Sequence, residues 1–269
     1  MKAVVKKIVP AWLWWFFRGL WGWRWFEGNF RTWAEAQAAS SGYDDDSIVR
    51  RVLAATMDVR EGRAAFERDG VTFATYVAEP GLLGAFGRIA QEAGSIGSVL
   101  DFGGALGTTY WRHRSRWKKF GLERWDVVEQ PVFVRAAKEV ATDELAFFAE
   151  IEAAERERHH RVLLSSGSLQ YLPDPTARLR QWMAGGFDWI VLNNLPLKHR
   201  GPDRIALQRV PPEIYAASYP VWFFNREKFL RQFGGRYEVV MEFSSEAEWQ
   251  VGLRRFASTG LLLKKRTHA

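Results

Sequence analysis

The spacing of apolar positions changes character along the chain. From residue 34 to 68 it is helical, and Ala34–Ala39 is a good helix-forming stretch that Ser40-Ser41-Gly42 interrupts. Asp44, Asp45 and Asp46 then precede Ile48, Val52 and Leu53, where acids complement the dipole of a first helical turn. Another helix is predicted over 82–93. Beyond residue 96 short apolar runs take over. Residues 98–102, 125–129, 145–149, 161–165 and 188–193 read as strands, with helices predicted over 107–119, 131–141 and 175–184. Such alternation implies a parallel sheet covered on both faces. Residues 203–224 break it with two runs, 204–210 and 219–224, around Pro211-Pro212, and read as an inserted hairpin or lid. A helix over 225–234 and strands over 237–243 and 261–265 complete the pattern.

Composition sharpens this outline. The 269 residues are 47% hydrophobic and 26% charged, enough for a large core and unlike a disordered tail. There is no cysteine, which excludes disulfides, thiolate metal sites and a Cys nucleophile, and fits a cytoplasmic setting. The net charge of +7 is concentrated at one end: residues 1–33 hold six basic side chains against the single acid Glu27. The same stretch holds 7 of the 14 tryptophans. Its longest uncharged apolar run, Ile8–Phe17, is too short to span a bilayer, and bulky residues follow where a signal peptide would be cleaved. Tryptophan with Lys and Arg suits an anionic membrane surface, and equally packing on the protein's own domain. In this segment Arg24, Glu27, Gly28 and Arg31 form a polar stripe at helical spacing. The body behind it is nearly neutral and offers no long basic face for nucleic acid. Three regions follow: an aromatic, basic segment over 1–33, a helical extension over 34–95, and a ligand-binding domain over 96–269 with an insertion near 203–224.

The most informative stretch is Val99-Leu100-Asp101-Phe102-Gly103-Gly104-Ala105-Leu106-Gly107, a strand running through a glycine turn into a helix. Glycines allow close approach of a ligand, and the helix N-terminus favours negative charge. A dinucleotide fingerprint ending at Gly107 would need glycine at position 102, where the chain has Phe102. The D-x-G-x-G-x-G turn that binds S-adenosylmethionine (SAM) matches at Asp101, Gly103 and Gly107, with Ala105 at the middle glycine. Glu129 ends the next strand, placed to accept hydrogen bonds from both hydroxyls of a ribose, which either ligand carries.

Several further segments resemble one family. They are Phe26-Glu27-Gly28 with Trp33-Ala34-Glu35-Ala36, Gly42-Tyr43-Asp44, Leu100-Asp101-Phe102-Gly103-Gly104, Val127-Val128-Glu129-Gln130-Pro131, Ser168-Leu169-Gln170-Tyr171-Leu172-Pro173, Gln208-x-Val210-Pro211 and Ser218-Tyr219-Pro220. Together they resemble a class I SAM-dependent methyltransferase family encoded beside bacterial surface-polysaccharide genes. The resemblance implies an α/β, Rossmann-like fold with a seven-stranded, mostly parallel sheet. It also implies an enzyme that methylates a glycan, glycolipid or related small molecule; with the aromatic, basic segment over 1–33, the expectation is a cytoplasmic protein able to sit peripherally on the inner membrane surface. Where relatives read Arg-Thr-Pro after the fifth strand this chain has Asn193-Asn194-Leu195-Pro196, so the acceptor does not carry over.

The expected donor-binding residues are Asp101, Gly103, Gly104, Ala105, Gly107, Glu129, Phe148, Glu150, Ser166, Ser168 and Gln170. Candidates for a base are Tyr171, His199 and Glu213. Tyr215, Tyr219, Trp222 and Phe223 read either as the floor of an acceptor pocket or as core beneath the insertion. His159-His160 is expected at a solvated helix end, without the spacing of a metal site. A non-catalytic, membrane-docked assembly partner is the alternative from a different class, and a nicotinamide oxidoreductase is disfavoured by Phe102.

Overall fold

The computed structural model describes residues 26–41, 45–210, 217–251 and 254–267. Thus Gly42-Tyr43-Asp44, Glu213, Tyr215 and the first 25 residues of the aromatic segment lie outside the described residues. The centre of the molecule is a seven-stranded sheet. Its strands are β4 (Gly97–Phe102), β5 (Leu122–Val128), β6 (Leu145–Phe148), β7 (Val162–Ser166), β8 (Trp189–Leu195), β12 (Tyr237–Val251) and β13 (Arg254–Lys265). They lie in the order β12-β13-β8-β7-β4-β5-β6. All neighbours are parallel except β13, which runs antiparallel to both β8 and β12. This is the expected Rossmann-like α/β arrangement. The chain starts in the middle at β4, fills one edge, then returns to the other side of β4, so the order reverses between β4 and β7. Ligands bind at the carboxyl ends of strands at such a switch point.

The strands form because their side chains are buried on both faces. Val99, Val127, Leu164 and Val191 pack with α3 (Pro80–Ala93) and α4 (Thr108–Lys119) through Leu82, Phe86, Ile89, Tyr110 and Trp117. Leu100, Leu163, Ile190 and Leu192 face the other way, onto Leu179 and Trp182 of α7 (Pro175–Ala184) and Phe229 of α8 (Arg226–Leu230). The short helices on this sheet are α5 (Pro131–Ala136), which starts on a proline, and α6 (Ile151–Glu157). Helix α2 (Asp45–Arg60) lies across the glycine turn, with Ile48, Val49 and Val52 packed together with Leu106 and Phe133.

Two departures from the sequence expectation have local causes. The helical reading of 34–68 gives way to α1 (Trp33–Ala38), α2 and then a hairpin, β2 (Phe66–Arg68) with β3 (Val71–Phe73). Asp69 and Gly70 both have positive φ, 52° and 71°, which is the backbone of a tight two-residue hairpin turn. The polar stripe read as helix includes β1 (Phe26–Phe30), an extended edge strand antiparallel to β10 (Arg204–Val210). Its conformation comes from pairing with a strand nearly 180 residues away, which no local period encodes.

That pairing builds a second, four-stranded sheet in the order β1-β10-β11-β9, with β11 (Ala217–Asn225) and β9 (Leu197–Lys198). The predicted insertion is therefore a cap that recruits residues 26–30 from the aromatic segment. The long β12–β13 hairpin reaches the cap. Its register jumps from Ser244↔Thr259 to Glu248↔Ala257, leaving Ser245, Glu246 and Ala247 opposite Ser258. Past this bulge Trp249 packs against Phe26 at 5.3 Å and Phe223 at 5.7 Å between ring centroids. Phe223 is fully buried, and Trp222 stacks against Trp33 and donates to the Leu172 carbonyl at 3.1 Å, so these rings are core. Phe223→Ala is expected to cost about 3–5 kcal/mol, read by urea unfolding of the full chain.

Candidate functional site

Strand β4 delivers Asp101 to the sheet's carboxyl edge, and the backbone then turns through Gly103, Ala105 and Gly107 with φ of 73°, 51° and 84°. Glycine at 103 and 107 avoids the strain that a side chain meets there. At Gly104 the reason is space: a Cβ would overlap the Asp101 carboxylate. At Gly103 a Cβ would overlap Ser168, whose hydroxyl donates to the Phe102 carbonyl at 2.7 Å. Ala105, at the place of the motif's middle glycine, adopts the left-handed backbone despite its side chain.

Two acids flank this turn. Asp101 is 1% exposed; one carboxylate oxygen accepts from Trp125 Nε1 at 3.1 Å, and the other has no hydrogen-bond partner. Burial, helped by the Glu129 charge and opposed by the Trp125 hydrogen bond, pushes its pKa up to about 7. Glu129 is half-buried and accepts from the backbone N–H of Gln130 at 2.9 Å and of Ala105 at 3.4 Å. Burial raises its pKa as well. Among the described residues no Lys or Arg contributes to either shift. A third acid was missed from sequence. Glu67, on β2, accepts a hydrogen bond from the Thr108 hydroxyl at the start of α4, and burial, partly offset by that bond, lifts its pKa to about 7. The turn is thus ringed by desolvated carboxylates.

A second network braces the same edge. The buried Arg112 guanidinium on α4 donates to Glu79 at 2.5 Å, to Glu246 in the β12 bulge at 2.8 Å, and to the Val77 carbonyl at 2.7 Å. Burial pushes Glu79 up, but the His113 hydrogen bond and the Arg112 charge outweigh it and leave its pKa lowered. Asn193, at the end of β8, donates to Glu79 at 3.3 Å and to Ser166 at 3.0 Å and accepts from Ser245 at 2.6 Å. Asn194 beside it has φ of 57°, unusual for a residue with a side chain.

The other expected residues scatter. Phe148 is half-buried at the end of β6, and its carbonyl accepts the Glu129 N–H at 3.0 Å; Glu150 is exposed two residues on. Gln170 is 1% exposed and its amide donates to the Asn194 carbonyl at 3.3 Å, so it braces the β8 end rather than presenting itself at a surface. The two base candidates among the described residues do not converge. Tyr171 donates to Gln208 of the cap at 2.7 Å, His199 lies on an exposed stretch beyond β9, and Glu213 is outside the described residues. His160 is not at a solvated helix end: it is fully buried between Asp126 at 2.8 Å and Glu155 at 2.5 Å, fastening α6 to β5. Among the described residues no group of three or more His, Asp or Glu is arranged to hold a metal ion.

No protein-family model and no curated protein matches the chain. Solved structures similar to it include the N-terminal domain of EvdMO1 in the presence of S-adenosylhomocysteine (SAH) and D-fucose, at 15% identity and a TM-score of 0.46, covering 83% of this chain and 98% of that one. Another is a Burkholderia thailandensis 1,6-didemethyltoxoflavin-N1-methyltransferase, at 15% identity and TM-score 0.46, covering 90% and 93%. A third is the glycopeptide N-methyltransferase MtfA complexed with SAM, at 13% identity and TM-score 0.44, covering 69% and 93%. Similarity at this level carries no argument about reaction or substrate; the fold rests on the strand order.

Two outcomes follow from the site. Asp101 keeps its proton in the folded protein to about pH 7, while the unfolded chain loses it near the ordinary value of 3.8, so stability falls as pH rises through that window. Asp101→Asn is expected to flatten this fall, measured by urea unfolding at pH 5 and pH 8. Arg112→Met leaves two acids facing each other without a counter-charge and is expected to cost about 3–5 kcal/mol in the same assay.

Proposed function

We propose that this chain is a SAM-dependent methyltransferase acting on a glycan, glycolipid or related hydroxylated small molecule. The observation that carries the reading is the buried Asp101 carboxylate, with one oxygen unpartnered, beneath a glycine turn that a second acid flanks. Such a cradle suits a ligand bearing positive charge and hydroxyl groups. SAM has both: a sulfonium and an ammonium, and a ribose. When bound it supplies a methyl group open to in-line displacement. Glu129 would accept from the ribose hydroxyls, and Asp101 would face cationic charge with its free oxygen. Glycine at 103 and 104 would let the backbone approach. The helix α2 packed over Leu106 would keep water from the turn.

The motif resemblance supports the finer reading of a bacterial, cytoplasmic enzyme of surface-polysaccharide biosynthesis. The aromatic and basic composition of residues 1–33 supports contact with an anionic membrane surface, although residues 26–30 of it are spent on the cap sheet. Among the described residues no helix is long and apolar enough to cross a membrane.

Calorimetric titration of the full chain with SAM and SAH tests the donor site. Binding is expected for both, weakened at least tenfold by Glu129→Ala. Absence of binding at millimolar ligand, with the protein folded by near-UV circular dichroism, contradicts the reading. Pelleting with vesicles containing anionic lipid is expected for the full chain and lost on deletion of residues 1–25; undiminished pelleting contradicts the membrane assignment.

A further inference from the structure

A cavity of about 310 Å³ opens where the cap meets the main sheet, between the β9 edge and the β12–β13 hairpin. It is separate from the glycine turn and lies on the other side of β7 and β8. Leu197, His199, Glu242, Ser244, Phe256 and Thr259 line it. Glu242 and Ser244 are two apart on β12 and so share a face, and Ser244 is directly opposite Thr259 on β13. Three different side chains are thereby brought together on one face, with His199 arriving from the strand that leaves β8. The cavity is at the small end of the range for ligand sites.

The chemistry of the lining is specific. The Ser244 and Thr259 hydroxyls and the His199 ring have no hydrogen-bond partner among the described residues. Each can donate or accept. Glu242 is the one acid, and its charge is already met by Arg226, in a two-pronged pair at 2.5 Å and 3.2 Å. Lys198, between the lining residues Leu197 and His199 in the chain, is turned to the Pro202 and Arg200 carbonyls. Among the described residues the cavity therefore offers donors and acceptors without net charge, and the half-buried Phe256 ring forms an apolar wall.

Its back wall is shared with the donor side. Ser258 donates to Asn194 at 3.3 Å and to the Ala247 carbonyl at 2.7 Å, while Asn194 donates to Ser166 at 3.4 Å, two residues from the serine that touches Gly103. Strand β13 is two strand spacings, about 10 Å, from β7.

We infer that this cavity is a carbohydrate-binding site distinct from the donor turn, and that it takes a neutral, polyhydroxylated ring of single-sugar size. Its hydroxyls would exchange hydrogen bonds with Glu242, Ser244, His199 and Thr259, and its C–H face would rest on Phe256. This site does not rest on the methyltransferase reading.

Saturation-transfer NMR on the full chain tests it, with methyl β-D-glucopyranoside, methyl β-D-galactopyranoside and methyl β-D-xylopyranoside as neutral probes and glucose 6-phosphate as the anionic one. Transfer to ring protons of at least one neutral probe is expected at 20 mM, and it should fall at least fivefold in Ser244→Ala/Thr259→Val. SAM affinity should be unchanged in that variant. Ser244 is exposed and Thr259 half-buried, and the changes keep or reduce volume, so the fold is retained; Ser244→Ala alone is the fallback and should reduce transfer at least twofold. No transfer from any neutral probe, equal transfer in the variants, or stronger transfer from glucose 6-phosphate overturns the proposal. A failed donor site is distinguishable, because sugar transfer would then persist without SAM binding.

Discussion

The buried guanidinium of Arg112 fixes the functional edge of this protein. It sits one turn into the helix that follows the glycine turn, and its donors reach the connector before α3 and the bulge of β12. Through Glu79 it also reaches Asn193 at the end of β8. Elements far apart in the chain are thereby held in one register. A buried ion pair of this kind adds little net stability over apolar packing, because desolvation consumes most of the Coulomb gain. Its directional hydrogen bonds instead select one arrangement of the surrounding segments, and a guanidinium with a fixed fork of donors is suited to that.

The two sides of the edge use opposite electrostatics. Arg112 spends its charge on acids that are fully engaged. Around the glycine turn Asp101 and Glu129 are desolvated with no cation beside them among the described residues, an arrangement that a cationic ligand would favour. On the far side of β7 and β8 the lining is close to neutral, with its acid already paired. One sheet edge thus offers a cation-seeking turn and a hydroxyl-rich cavity, separated by Asn194 and Ser166.

The sheet was legible in the sequence because its strands are buried on both faces and read as apolar runs, and because the glycine turn is a contiguous signal. The turn's two acids were legible for the same reason, being at strand ends. Glu67, Glu79 and Arg112 were not, since each acquires its role from partners 33 to 134 residues away. The strand at 26–30 was hidden by a polar spacing that happens to fit a helix, and the hairpin at 66–73 by the helical stretch before it. His160 was misjudged because a charged neighbourhood in sequence, Glu155 to Arg158, is in space the partner that buries it.

The account turns on the uncompensated acids at the glycine turn receiving a cationic ligand. Calorimetric titration of SAM at pH 6, in two buffers of different ionisation enthalpy, measures the protons exchanged on binding. At that pH Asp101 is largely protonated before binding, and a cation facing it favours the ionised form, so net release of a substantial fraction of a proton is expected. Release should shrink with SAH, which lacks the sulfonium, and in Asp101→Asn. Binding of SAM with no proton exchange, or with uptake, would contradict the account.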